Sequence, residues 1–409
     1  MLKAIALVIV LLSSAASAAP QSIVLKRGLP TDIWLTWPEA NRFDEPGLIA
    51  VFPEYRQVFK GGELKLVKDA GFDFVRLTVD PAIFLWKPSP AKTDKLVAGV
   101  LAAIAEIRGA GLKVVVDLHS IPHTAPTPGT EMYLKTDADF AAYLELVAKI
   151  GTAITTLPSA DVAFEPINEP TIDCDWDQPK KTKQRWPGML KKLHAAARAA
   201  APTLTLVLSG ACWGSADGLS QINPRTIADD NIVWSFHSYE PFIFSHQGAS
   251  WTDEQMRFVE GLAFPPQPGQ KNKVLRLALA KLAASNLSKS AKRKMRKHLT
   301  SDLGNYFRKG YAERQARAPF VTVSAWAKRY GIPANRIMLG EFGVIRGDLA
   351  KPMTDAERVA LLRLMRVEAE RRGFIWSAWS WSGSFGISKS DETREFSPLL
   401  LDALGLPGH

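Results

Sequence analysis

The sequence predicts a (β/α)8 TIM barrel in the α/β class, on three observations. Apolar, strand-like runs alternate with helical periodicity about eight times along the 409 residues. The strand runs are apolar throughout rather than at every second residue, as expected for a parallel sheet buried on both faces. No Gly-rich dinucleotide fingerprint or phosphate loop follows any of them, so a closed barrel is favoured over an open doubly wound sheet. The composition, 46% hydrophobic and 22% charged, is that of a globular protein.

The elements follow in order. Residues 1–18 read as a secretory signal, with Lys3, an apolar run over 4–12, and Ala16-Ser17-Ala18 as a small-residue cleavage site. That run is shorter than the roughly 20 residues a bilayer span needs. The expectation is therefore a secreted or periplasmic protein without stable membrane insertion, and one catalytic domain over 19–409. Losing Lys3 leaves 50 basic against 41 acidic residues. A first strand is expected at 22–25, running into Lys26-Arg27-Gly28, then a loop with Trp34 and Trp37. A short helix over 62–70 and a strand over 72–79 come next. Leu96, Val97, Val100, Leu101, Ile104 and Ile107 then recur at helical spacing until Gly111.

A largely β-branched strand over 112–118 ends at His119, and a helix covers 140–154. Val162-Ala163-Phe164 leads a strand that Pro170 closes, since proline cannot donate to a ladder. An alanine-rich helix over 186–200 stops before Pro202, and strands follow at 204–208 and 232–236. A helix closes at 325–330, ahead of a strand from Ile337 to Glu341. A helix over 358–371, a strand over 374–381 and a short helix over 399–404 complete the count.

One segment breaks the rhythm. Residues 247–317 form an insertion between the sixth strand and its helix, expected as one or two helices over the barrel edge. Within it lies a basic run over 289–297, with Leu299 and Leu303 beyond. The run reads first as a solvated helix face, with an anionic polymer or envelope surface as the alternative partner. Nucleic acid is not expected, because no aromatic-interleaved motif accompanies the run.

In such a barrel the carboxyl ends of all strands open on one face, where active sites are built. The polar residues falling there are Arg76, His119, Asn168, Glu169, His237, Tyr239 and Glu341, with Trp379 in the eighth strand. Two carboxylates facing each other suit glycoside hydrolysis, one protonating the leaving oxygen and the other attacking the anomeric carbon. Glu169 is the candidate acid/base and Glu341 the candidate nucleophile. Tyr239 and Arg76 are placed to keep Glu341 ionised. Asn168 is the candidate for the sugar 2-hydroxyl, and His237 for orienting Glu169 or a substrate hydroxyl. Trp379 is the candidate floor of the central sugar site, with Trp381, of the same strand parity, as its rival.

Trp176, Trp213 and Trp251 are candidates for sugar stacking, and His123 for a further substrate contact. Trp234 and Trp376 are expected in the core. Glu165 shares strand parity with Glu169 but lies four residues deeper, and reads as a structural carboxylate paired with a base. No His/Cys/Asp group has metal-ligand spacing. Cys174 and Cys212 are the only cysteines, and the sequence leaves their pairing open.

Seven pieces stand in order: Arg27-Gly28, Val75-Arg76-Leu77, Asp117-Leu118-His119, Asn168-Glu169-Pro170, His237-Ser238-Tyr239, Gly340-Glu341-Phe342-Gly343 and Trp379. Together, over about residues 22–405, they resemble glycoside hydrolase family 5, the cellulase family of clan A retaining glycosidases. The resemblance implies the (β/α)8 fold, net retention, the roles given to Glu169 and Glu341, and no metal or organic cofactor. A β-linked polysaccharide or oligosaccharide is the expected partner of a monomer, with endo-acting hydrolysis of β-1,4-glucan first. Mannan, β-1,3-glucan or exo-acting β-glucosidase chemistry is the alternative, and a non-catalytic polysaccharide-binding protein the other class. The family pattern often continues Arg-Gly-hydrophobic-Asn, whereas Pro30 stands at that asparagine's position here. Pro30 and the long insertion bear on the substrate more than on the reaction.

Overall fold

The computed structural model describes residues 22–31, 42–43, 62–120, 130–175, 184–267, 269–347 and 352–407. Among them eight parallel strands close a barrel in chain order. They are β1 (Arg27–Pro30), β2 (Phe74–Val79), β3 (Lys113–Leu118), β4 (Val162–Glu165), β5 (Thr205–Ser209), β6 (Ile232–His237), β7 (Ile337–Glu341) and β8 (Ile375–Ser377). β1 pairs with both β2 and β8, which closes the ring. The helices between them include α1 (Glu63–Asp69), α2 (Pro90–Gly109), α3 (Asp137–Ile154), α4 (Trp186–Ala200) and α5 (Ala216–Ser220). The later ones are α6 (Lys271–Ala284), α7 (Lys289–Tyr306), α8 (Tyr311–Tyr330), α9 (Asp355–Glu370) and α10 (Pro398–Ala403). Local signals set several starts. Ser89 caps α2 ahead of Pro90, Thr136 caps α3, and Thr354 with Glu357 forms a capping box on α9.

Side chains two residues apart share a strand face, and that rule divides the barrel interior into layers. The lowest is apolar: Phe74, Val115, Ala163, Val207, Val233, Met338 and Ile375 form a cluster separate from the main core. Two residues further on, β2 to β8 offer the next layer: Arg76, Asp117, Glu165, Ser209, Ser235, Gly340 and Ser377. Another step reaches Thr78, His119, His237 and Trp379. The interior thus turns from hydrocarbon to polar within one pleat, and the site stands on that polar layer. Gly28 is required by the lowest layer, since a Cβ there would lie 2.2 Å from the Phe74 ring.

Three expectations shift. The first strand lies at Arg27–Pro30 rather than 22–25. Ile23 and Leu25 instead join the apolar plug, and the neighbouring backbone is tied by side chains: the amides of Lys26 and Arg27 donate to Asp73 at 3.0 and 2.9 Å. β8 is three residues long, against the eight expected. The insertion after β6 holds two helices, α6 and α7, but α8 already begins at Tyr311, inside the span assigned to the insertion. The proposed signal at 1–18, Trp34, Trp37, His123 and Trp176 lie outside the described residues. No helix among the described residues is long and apolar enough to cross a membrane.

Candidate active site

Arg76 is fully buried in the polar layer, and its guanidinium organises the site. Nε donates to Glu165 at 3.0 Å, and one terminal nitrogen donates to Glu341 Oε1 at 3.0 Å and to the Gly340 carbonyl at 3.2 Å. The other lies 2.9 Å from Asp117 and donates to Asn168 Oδ1 at 3.0 Å. Burial works against the Arg76 charge, but Asp117, Glu165 and Glu341 outweigh it and push its pKa well above the ordinary range. Glu165 is therefore the structural carboxylate expected of it, with Arg76 as its base. Burial raises Glu165 and lifts Asp117 to about 6, with Arg76 opposing both.

Glu341, at the end of β7, is buried, and each of its oxygens is engaged. Oε1 takes the Arg76 contact, and Oε2 accepts from the Tyr239 hydroxyl at 2.8 Å. Gly340 precedes it because a Cβ there would lie 2.3 Å from Ser235 Oγ and 2.8 Å from His237 Nε2.

Glu169 differs in every respect. Its side chain is 21% exposed, and among the described residues no guanidinium touches it and its one polar partner is His237, whose Nδ1 lies 2.7 Å from Oε1. The backbone is left-handed, with φ 45°, a conformation disfavoured by about 1–2 kcal/mol for a residue with a Cβ. Thr130 Oγ1 holds that turn by donating to the Glu169 carbonyl at 2.8 Å and accepting from the Thr171 amide at 3.0 Å. Burial pushes the Glu169 carboxyl up to about 7, against the opposing pull of His119 and Arg76. Burial also lowers His237 to about 4, Glu341 pulling the other way, so at neutral pH its imidazole is neutral. A neutral ring can donate to the Glu169 carboxylate or accept the proton of its acid form, and so serves both states.

Of the site residues expected from sequence, Arg76, His119, Asn168, Glu169, His237, Tyr239, Glu341 and Trp379 come together. His119 contacts Asp117 at 2.9 Å and lies 3.4 Å from the Asn168 amide nitrogen, while Trp379 stacks on its ring at 5.1 Å between centroids. Trp381 is not a rival for Trp379: it is buried, stacked on Phe396, and donates to the Arg394 carbonyl. Trp234 and Trp376 are core. Trp213 is 46% exposed in a left-handed turn, φ 61°, beside the Glu169 loop, and its amide donates to the Pro170 carbonyl at 3.0 Å. The Cys174–Cys212 disulfide closes over this turn, joining the loops after β4 and β5. Trp251, 55% exposed, belongs to an aromatic chain through His246 and Phe385 to Tyr239.

Sequence reading gave no role to Asp117, His246 or Phe385. Asp117 was within reach, because it shares parity with His119; the other two come from segments with no periodic signal. Glu169, His237 and Glu341 also bring one ligand-type atom each within 4.8 Å of one another. They come from three strands, which is why no local spacing announced them. Arg76 and Tyr239 engage both Glu341 oxygens, and His237 Nδ1 meets Glu169 Oε1.

The family description "Cellulase (glycosyl hydrolase family 5)" matches residues 60–384. Endoglucanase 3 of Fibrobacter succinogenes is 24% identical over 81% of this chain and 47% of its own length. Cellodextrinase A of Ruminococcus flavefaciens is 28% identical over 49% of this chain and 58% of its own. The chain thus spans about half the length of these curated relatives. Among solved structures, Thermotoga maritima Cel5A in complex with cellobiose superposes with a TM-score of 0.61 at 20% identity, covering 93% of this chain and 97% of that one. Cellulose synthase subunit Z of Clostridioides difficile gives 0.61 at 22% identity, over 93% and 99%. The structural matches establish the barrel and the sequence match the family: this chain belongs to the cellulase family, glycosyl hydrolase family 5.

Proposed function

We propose that the protein is an exported, endo-acting β-glucan hydrolase that cleaves β-1,4 bonds with retention, Glu169 serving as acid/base and Glu341 as nucleophile. The observation that carries the reading is the contrast between two facing carboxyls. An oxygen of each lies within 4.8 Å of the other, compatible with the roughly 5–5.5 Å separation of retaining enzymes and short of the 6.5–9.5 Å of inverting ones. Glu341 accepts from a guanidinium and a phenol, whereas Glu169 is held by burial, which favours the acid. Attack by Glu341 displaces the leaving oxygen as Glu169 protonates it. Glu169, now a carboxylate, then takes a proton from the water that releases the sugar.

Neutral β-glucan fits the exposed Trp213 and Trp251, which offer apolar faces for stacking. A β-mannan is the second reading, because Thermotoga maritima Cel5A has been solved with mannotriose as well as cellobiose. Export rests on the signal-like residues 1–18. NMR of the products from a panel of β-glucans and mannans tests linkage and anomeric outcome together. Glu169→Ala should be rescued by azide on an activated substrate, yielding the β-glycosyl azide, and Glu341→Gln should be inactive. Full activity in the Glu341 variant would sink the assignment.

A further inference from the structure

The excess of positive over negative charge in this protein matches that of one hairpin. Residues 261–301 contain ten Lys and Arg and no Asp or Glu; the rest of the chain holds 41 of each sign. The whole net charge of +10 therefore sits on α6, α7 and their flanks. The hairpin is well built: α6 buries Val274, Ala278 and Leu282, α7 buries Leu299, Leu303 and Tyr306, and the Tyr306 hydroxyl donates to the Ala263 carbonyl at 2.7 Å. Its outer side is left to cations. Lys271, Lys273 and Arg276 of α6 are exposed, as are five of the six basic residues over 289–297, and none of these eight makes an ion pair among the described residues. Lys281 is the exception on α6, paired with Glu260, and Lys292 folds back onto the Ala283 carbonyl.

Eight cations on one hairpin without an acidic partner among the described residues repel one another, and a neutral β-glucan gives them no counter-charge. A second feature narrows the partner. On α6, Lys273, Leu277, Ala280 and Ala284 follow helical spacing along one exposed stripe, with Leu277 39% exposed beside Arg276. An acidic polysaccharide would use the cations and leave Leu277, Ala280 and Ala284 wet. An anionic phospholipid surface would use both, the headgroups meeting Lys and Arg while Leu277 enters the interface.

We propose that the α6–α7 hairpin docks the protein reversibly on anionic phospholipid membranes. The full chain should sediment with phosphatidylcholine vesicles containing phosphatidylglycerol, stay free of pure phosphatidylcholine vesicles, and be released at high salt. The triple variant Arg293→Gln, Lys294→Gln, Lys297→Gln should partition on the order of 100-fold less, since each surface cation contributes about fivefold near an anionic leaflet. Its hydrolysis of a soluble substrate should be unchanged, which shows that the variant is folded. Equal partition onto both vesicle types, or undiminished binding by the triple variant, would overturn the proposal. So would retention on polygalacturonate without vesicle binding, which would assign the face to an acidic polysaccharide.

Discussion

Replacing Arg76 with methionine fills much of the same space and removes the single guanidinium on which three buried carboxylates converge, at 2.9–3.0 Å. Breaking a buried ion pair from one side costs about 3–5 kcal/mol. Here the loss is limited by protonation, which costs about 1.4 kcal/mol for each pH unit between a carboxyl's wild-type folded pKa and neutral pH. The expected destabilisation at neutral pH is therefore about 3–5 kcal/mol. The sign with pH follows. Burial already holds the Asp117 and Glu165 carboxyls above their unfolded values against the pull of Arg76, so removing Arg76 raises both further and the folded state takes up protons at still higher pH. The deficit is then largest above those raised values and shrinks as pH falls toward the wild-type values, about 6 for Asp117. Urea unfolding followed by tryptophan fluorescence at several pH values measures it. A deficit below about 1 kcal/mol at neutral pH, or one that stays constant down to pH 4, would refute the charge account of the layer.

Further outcomes follow from the same site. With the Glu169 carboxyl near 7, hydrolysis of substrates with poor leaving groups should fall as pH rises through that value, while an activated aryl glycoside loses this basic limb; identical profiles for both would remove Glu169 as the acid. Tyr239→Phe deletes one charge-assisted hydrogen bond to Glu341 and should lower kcat about 10- to 100-fold with the fold intact by circular dichroism; an unchanged kcat would leave the phenol without a role. Cys174→Ser with Cys212→Ser opens a link across 38 residues and should destabilise the protein by about 2–5 kcal/mol. It should also raise KM for long oligosaccharides more than for short ones, by freeing the turn that carries Trp213; equal effects on both would separate the disulfide from that tryptophan.

How much of this was legible beforehand depended on where each signal sat. The barrel was, because strands buried on both faces read as apolar runs, and helices such as α4 carry their own 3.6-residue period and stops. The rim residues were, because a strand's end can be found without knowing its neighbours. The first strand was misplaced, because Ile23 and Leu25 are as apolar as any strand residue but spend that character plugging the barrel floor. The start of α8 was obscured by polar surface positions before Phe320. Asp117 was passed over because a single carboxylate in a β-branched run does not reveal the arginine opposite it. His246 and Phe385 reach Tyr239 only through tertiary contact.

The two-residue step between interior layers also governs how the chain can change length. Inserting one residue ahead of Arg76 in β2 would turn the guanidinium out towards the helices and bring an aliphatic neighbour inward. Inserting two would restore the facing but lift the arginine one level, away from Asp117 and Glu165. Neither frame keeps the network, so the strands are closed to indels while the loops at their carboxyl ends are open. The excursion after β6, with its charged hairpin, is what such freedom permits: new surface chemistry added without moving any rung of the ladder beneath it.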